Sequence, residues 1–398
     1  MIPKERYQDM MTANKAVAIA VTRARPKVVA AYPISPQTDI VEYLADYVAN
    51  GNLDAEYVRA EGEHSAMTIC AAAQGTGVRT FTATASQGLA YMHEVVSATG
   101  GMRLPVVMFV ANRTLMSPGG IWPEHSDSMP ERDAAWMQLY VEDNQEAFDM
   151  ILQAYKIAED PRVLLPIMVC GDGYILTHTS DKVEVLSIEE VDEFLPSYKA
   201  EHAYLDIDRP TAQGIIVPPE YHMEAKYQMH KAMKDAKTVI KEINTEFFEK
   251  FGRDYGGLLA EYRMEDAERA IVVMGSTAGT TKLAIDQLRE KGEKVGLVKL
   301  RFFRPFPVEE MSEALKNVKA VGVMDRSLSY GSTGQVFIEV RNALYEMKKP
   351  ILNFIAGLGG RDIREEDLNF MFDKLKEVEG KEKIKDPVVF VNTRGVTV

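Results

Sequence analysis

The first clear apolar run is Val28-Val-Ala-Ala-Tyr32, halted by Pro33, and helical spacing of apolar positions follows over residues 38–48. The alternation then repeats. Tyr57-Val58 reads as a short strand, 63–74 as a helix of small residues, 80–84 as a β-branched and aromatic strand, and 87–98 as another helix. Strongly apolar strands are expected at 105–110 and 164–170. Continuous apolar strands separated by helices predict a parallel sheet covered on both faces.

The pattern changes between about residues 189 and 263. Loop-like stretches rich in proline and aspartate lead into a long charged helix over 223–251, which reads as a connecting arm rather than a core. A second alternating unit begins near Ala270, with strands at 271–274, 295–300, 320–324 and 351–355 and helices between them. The expected organisation is therefore an α/β domain over 1–255, with the arm from about 189. A smaller α/β domain over 256–398 ends in a Lys/Glu-rich tail.

Composition narrows the class. The chain has 398 residues, 46% of them hydrophobic, enough for two full cores. It carries 59 acidic and 46 basic residues, a net charge of −13, and no basic stripe, so no nucleic-acid partner is expected. No apolar run approaches the ~18 residues of a membrane span. The charged start has no apolar stretch behind it, which predicts a cytoplasmic chain without a secretory signal. Cys70 and Cys170 sit in apolar runs and read as small buried hydrophobes in a reducing compartment. Two thiols cannot hold an iron–sulfur cluster, which takes four.

Several familiar sites are missing. The sequence has no Gly-x-x-x-x-Gly-Lys-Ser/Thr loop and no Gly-x-Ser-x-Gly elbow. His93-Glu94 lacks the second histidine of a zinc helix, and the other histidines show no metal-ligand spacing, so no metal ligands are expected. Met274-Gly-Ser-Thr-Ala-Gly279 resembles a phosphate cradle only loosely and reads first as an ordinary strand-to-helix turn.

Three strand ends carry chemistry. Tyr32-Pro-Ile-Ser-Pro-Gln-Thr38 holds Ser35 on a rigid turn, Glu61-Gly-Glu-His-Ser65 places Glu63 where a helix begins, and Ala111-Asn-Arg113 follows an apolar strand. In a parallel sheet all three lie at the carboxyl edge, where ligands bind. A hydroxyl, a carboxylate and a guanidinium there suit an anionic substrate, and the arginine fork suits a carboxylate. Singly, each has a plain reading as a turn serine, a helix-start glutamate or a surface arginine.

Here the sequence resembles the α subunit of the 2-oxoacid:ferredoxin oxidoreductases, pyruvate-type above all. The resemblance rests on the Ser35 and Glu63 segments, Thr82-Ala-Thr-Ala-Ser-Gln-Gly-Leu89, Met92-His-Glu94, Asn112-Arg113 and His125-Ser-Asp-Ser-Met129. It continues through Arg132-Asp133, Asn144-Gln-Glu-Ala147, Arg301-Phe-Phe-Arg-Pro-Phe-Pro307, Met324-Asp-Arg326 and Gly357-Leu-Gly-Gly-Arg-Asp362, nearly the whole chain. It implies a thiamine-diphosphate-binding, pyrimidine-type parallel-sheet domain followed by a smaller transketolase C-terminal-like α/β domain. The implied reaction converts pyruvate, coenzyme A and oxidised ferredoxin reversibly to acetyl-coenzyme A, carbon dioxide and reduced ferredoxin.

The resemblance also implies a division of labour. This chain supplies the aminopyrimidine half of the thiamine diphosphate site, a β subunit holds the diphosphate and Mg²⁺, and γ and δ subunits complete the complex, with [4Fe–4S] clusters on δ. The sequence fits that division. Gly171-Asp172-Gly173 looks like the opening of a magnesium–diphosphate motif, but the closing asparagine is missing, and the next asparagine is Asn244. Ferredoxin is expected to dock on the cluster-bearing subunit, because this chain is itself acidic.

Residue by residue, Glu63 matches the glutamate that hydrogen-bonds N1′ of the aminopyrimidine and favours its imino form, and it should be buried. Ser35 stands where the family usually has threonine and keeps the hydroxyl for substrate. Arg113 matches the arginine that pairs with the substrate carboxylate. Ser86, Gln87 and Gly88 match a loop near the cofactor. His64 and His125 are candidates for groups behind these, with a structural role as the other reading. Gly62 and the stretch Met116-Ser-Pro-Gly-Gly-Ile-Trp122 depart from the family pattern near the substrate pocket. That keeps open the same chemistry on oxalate, a branched-chain or an aromatic 2-oxo acid. A non-catalytic scaffold subunit is the alternative of another class.

Overall fold

The computed structural model describes residues 2–201, 204–381 and 384–395. His202 lies outside them, as do Glu382 and Lys383 of the charged tail. The strands, in chain order, are β1 (Tyr7–Met11), β2 (Val28–Ala31), β3 (Glu56–Arg59), β4 (Thr80–Thr84), β5 (Val107–Asn112), β6 (Met137–Tyr140), β7 (Ile167–Asp172) and β8 (Asp181–Val185). The second half adds β9 (Leu259–Tyr262), β10 (Arg269–Val273), β11 (Val295–Leu300), β12 (Phe302–Arg304), β13 (Ala320–Asp325), β14 (Ile351–Ile355) and β15 (Val388–Phe390).

The larger sheet runs β12-β6-β7-β5-β4-β2-β3, parallel from β6 to β3 with β12 antiparallel at its edge. The period-two alternation of side chains explains its apolar strands. In β5, Val107, Phe109 and Ala111 point into one core, with the helices Ala13–Ala24 and Asn144–Glu159, while Met108 and Val110 point into the other. The second sheet, β15-β14-β13-β10-β11-β9, is parallel except for β9. The core holding Met108 and Val110 continues without a break into Val272 and Val298 of that sheet. The two sheets therefore share one apolar interior.

Two features depart from the pattern read in the sequence. The arm helix, Pro219–Phe251, is not merely a connector: Ala232, Ala236, Val239, Ile240, Ile243 and Phe247 are buried against the first core. Their spacing of three and four residues makes one apolar stripe, which the charged remainder of the helix hides from a composition-based reading. The second is β12, which follows β11 after one residue yet pairs with β6 of the first sheet. Both cysteines are free and buried, and burial pushes the Cys70 thiol up to about 12.

Candidate active site

Glu63 is the first residue of the helix Glu63–Gly75, and only 8% of it is exposed. Small residues let this helix approach its neighbour, Ser86–Gly101, closely. The contact is tightest at Gly88, where a Cβ would stand 2.5 Å from Oγ1 of Thr84 and 2.7 Å from Oε1 of Glu63. The Thr84 hydroxyl is itself buried, without a hydrogen-bond partner among the described residues. Among the described residues no donor engages the Glu63 carboxylate. Its oxygens are not among the fully buried polar atoms, so the carboxylate is left open to accept a hydrogen bond from a ligand.

Ser35 and Arg113 meet directly. Nη1 of Arg113 donates to the Ser35 carbonyl at 2.9 Å, and Nε donates to the Gly120 carbonyl at 3.2 Å. The guanidinium is thus fixed by two neutral acceptors and pairs with no carboxylate among the described residues. Ser35 is exposed, and its hydroxyl makes no bond among those residues. Together they present a positive fork and a hydroxyl, an arrangement able to bind a small carboxylate.

Of the loop residues, Ser86 is turned inward. It is fully buried with φ of 49°, and its hydroxyl donates to the Thr114 carbonyl at 2.6 Å, so it shapes the turn from within the protein. Gln87 reaches outward and donates through Nε2 to the Met116 sulfur at 2.7 Å. Gly88 is the close-approach point under Glu63.

One carboxylate that sequence reading passed over ties these parts together. Asp127 is 1% exposed. Its Oδ2 accepts the backbone N–H groups of Ser86 and Arg113, each at 2.9 Å. Its Oδ1 accepts Nδ2 of Asn112 and the N–H of Ser128, each at 2.8 Å. Burial pushes its carboxyl up to about 6 against the pull of these bonds. In the sequence it stands only as an acid between two serines inside the His125–Met129 segment, with nothing to single it out.

Of the remaining candidates, His125 serves the domain boundary. Nε2 of His125 lies 3.0 Å from Oδ1 of Asp172, which also pairs with Arg326 at 2.7 Å. The backbone N–H and hydroxyl of Ser276 both donate to Oδ2 of Asp172. Burial opposes ionisation here, but Arg326 first, then His125 and Ser276, hold the carboxyl well below its usual range. The acid of the Gly-Asp-Gly segment is thus committed to its own chain. The turn that loosely resembled a phosphate cradle closes on that acid instead. His64 is a surface group 3.4 Å from Glu94. Among the described residues no cluster of three or more metal-ligating side chains occurs, and no helix is long and apolar enough to cross a membrane.

The chain thus joins two α/β domains built on largely parallel sheets, with Glu63 at a helix start of the first and the Arg113 fork held by two carbonyls at the end of β5. Comparison with known proteins gives the family. Residues 19–245 match "Pyruvate flavodoxin/ferredoxin oxidoreductase, thiamine diP-bdg", and residues 267–368 match "Pyruvate:ferredoxin oxidoreductase core domain II". The chain belongs to the pyruvate:ferredoxin oxidoreductase family.

Its relatives include the pyruvate synthase subunit PorA of Methanocaldococcus jannaschii, 50% identical over 93% of this chain and 95% of the relative. PorA of Pyrococcus abyssi is 49% identical over 97% and 98%. The ketoisovalerate oxidoreductase subunit VorA of Pyrococcus furiosus is 45% identical over 97% and 98%. Among solved structures, the 2-oxoglutarate:ferredoxin oxidoreductase of Magnetococcus marinus shares the fold with a TM-score of 0.68 at 19% identity, over 94% of this chain and 65% of that one. A split-gene transketolase, described as an inactive beta4 tetramer, shares it with a TM-score of 0.57 at 13% identity, over 93% and 100%.

Proposed function

We propose that this chain is the α-type subunit of a coenzyme-A-dependent pyruvate:ferredoxin oxidoreductase. In either direction, the reaction links pyruvate, coenzyme A and oxidised ferredoxin to acetyl-coenzyme A, carbon dioxide and reduced ferredoxin. The observation that carries this reading is Glu63, a largely covered side chain whose carboxylate has no donor among the described residues, set against Gly88.

When bound, thiamine diphosphate supplies the electron sink that loss of carbon dioxide from a 2-oxo acid requires. Glu63 is the residue that would hold the aminopyrimidine at N1′, with Gly88 leaving room for its carboxylate. Arg113 and the Ser35 hydroxyl bind and orient the substrate carboxylate. The two carbonyls that fix Arg113 keep its fork aimed without neutralising its charge, so the full charge is available to substrate. The loop reached by Gln87 and Met116 borders this pocket and is a candidate for excluding water from it.

The partners belong to the same proposal. A β subunit supplies the diphosphate and Mg²⁺ contacts, and γ and δ subunits complete the assembly. The [4Fe–4S] clusters on δ pass electrons to ferredoxin, whose docking there suits the net charge of −13 on this chain. A second reading, a branched-chain 2-oxo acid as substrate, is favoured by the 43–45% identity to VorA subunits and by the departures at Gly62 and 116–122. PorA subunits, at 48–50%, favour pyruvate.

The test is the complex purified anaerobically from its own cells and assayed for coenzyme-A-dependent ferredoxin reduction with pyruvate, 2-oxoisovalerate, an aromatic 2-oxo acid and oxalate. Pyruvate should give the highest kcat/KM. Replacing Glu63 by glutamine should abolish turnover and leave assembly intact, and full activity in that variant would return the chain to a scaffold role.

A further inference from the structure

We propose that Asp127 is a positioning residue that holds the substrate arginine and the cofactor-side turn in one fixed relation. The inference rests on the function proposed above. It starts from an energetic oddity. Asp127 is a buried carboxylate without an ion-pair partner among the described residues, in a place where burial alone favours a neutral side chain. Such a group persists where its acceptor geometry is needed.

That geometry is specific. Four donors converge on two oxygens, and the two on Oδ2 come from different walls of the proposed site. One is the N–H of Arg113, whose side chain faces substrate. The other is the N–H of Ser86, two residues before Gly88 and its contact with Glu63. Ser86 is held at φ of 49°, a region that non-glycine residues seldom adopt, so its turn needs an anchor. Ser86 and Arg113 are 27 residues apart in sequence, yet they share a single acceptor atom. A displacement of that atom moves both walls.

Only an acceptor on both sides will serve. Asparagine has the same shape, but its amide nitrogen would face two N–H donors. One pair of bonds would be lost whichever way the side chain turned.

The experiment is Asp127→Asn in the complete complex. Three quantities are read: KM for the 2-oxo acid, kcat, and thiamine diphosphate affinity by calorimetry on complex stripped of cofactor. The expected result is a tenfold or greater rise in KM together with a tenfold or greater loss of cofactor affinity, in complex that assembles normally. A loss of activity that merely tracks the loss of folded complex, with KM and cofactor affinity unchanged, would overturn the proposal.

Should Asp127→Asn fail to assemble, Asn112→Ala removes one donor to Oδ1 and leaves the Oδ2 pair in place. It should raise both constants by a few fold, and unchanged constants in that variant would equally refute the role. The calorimetric arm keeps this failure separate from failure of the functional reading. Wild-type complex that binds thiamine diphosphate but oxidises no 2-oxo acid counts against the function, while the Asp127 variant still reports on positioning.

Discussion

Gly88 and Glu63 are in contact across two helices, with no room between them for one more carbon. A Cβ on Gly88 would stand 2.7 Å from Oε1 of Glu63. Gly88→Ala would ordinarily strengthen the interior of a helix by about 0.5–1 kcal/mol. Here the added methyl must displace the buried Thr84 hydroxyl, 2.5 Å away, as well as Glu63, and that clash outweighs the helical gain. The variant should show a lower Tm than wild type and lose at least tenfold in thiamine diphosphate affinity, by calorimetry on the folded complex, and in turnover. Unchanged affinity would separate Glu63 from the cofactor.

Arg113→Lys keeps the charge and loses the fork. Lysine cannot donate to both the Ser35 and Gly120 carbonyls and still present two parallel donors to a carboxylate. With a charge-assisted bond worth about 1.5–3 kcal/mol, KM for the 2-oxo acid should rise about 10- to 100-fold. Steady-state kinetics on the assembled complex reads this directly, and thiamine diphosphate affinity should be unaffected.

Glu146 joins the two sheets. It lies on the helix Asn144–Glu159, and its carboxylate meets Lys299 at 2.6 Å and Arg301 at 2.8 Å, all three buried. Burial raises the cost of ionisation, but the two cations outweigh it and hold the carboxyl down at about 2. The folded-state value lies below the ordinary 4.5, so the stabilisation is present above pH 4.5 and is lost as pH falls towards 2. Glu146→Gln leaves buried Arg301 without a carboxylate, while Lys299 keeps Glu142 at 2.8 Å. It should cost about 3–5 kcal/mol, measured by denaturant unfolding at pH 7, with a smaller difference from wild type in strong acid.

Asp127 has the opposite sign. Its folded-state carboxyl lies at about 6, above the ordinary 3.8, so the folded chain takes up its proton first. Between pH 6 and 4 this group favours the folded state as pH falls, yet the protonated acid no longer accepts on both sides. Titratable or charged neighbours face it from several sides: His125 from its own loop, Arg113 from the end of β5, Tyr140 from β6 and Cys170 from β7. KM for the 2-oxo acid should climb as pH falls through about 6 without any loss of Tm from this residue. A flat KM profile from pH 7.5 to 5.5 would count against the link.

Much of the frame was legible in the chain, because a buried parallel strand leaves a plain apolar run. The strands β2, β4, β10, β13 and β14 and the helix at Glu63 lie close to their expected places. The short and partly exposed pieces were not legible. The β1–β8 pair has charged residues on both strands and carries no apolar run to announce it. The site divides the same way. Strand ends make Ser35, Glu63 and Arg113 candidates, since ligands gather at the carboxyl edge of such a sheet. Asp127 lies in a loop, and its importance comes from four donors that are adjacent only after folding. Asp172 shows the converse: its sequence setting opens a magnesium–diphosphate motif that the missing asparagine leaves unclosed, and only the fold shows its actual partners, Arg326, His125 and Ser276.

The strand β12 has a consequence for any attempt to take the molecule apart. Phe302 and Arg304 belong by sequence to the second half, yet they cap the open edge of β6 in the first sheet. A chain ending at residue 255 would leave Met137–Tyr140, fully buried in the intact protein, as an unprotected apolar border. Such a fragment would self-associate through that border, because an unpaired strand recruits another. The halves are laced together, and expression of either one alone should yield aggregates where the whole chain stays dispersed.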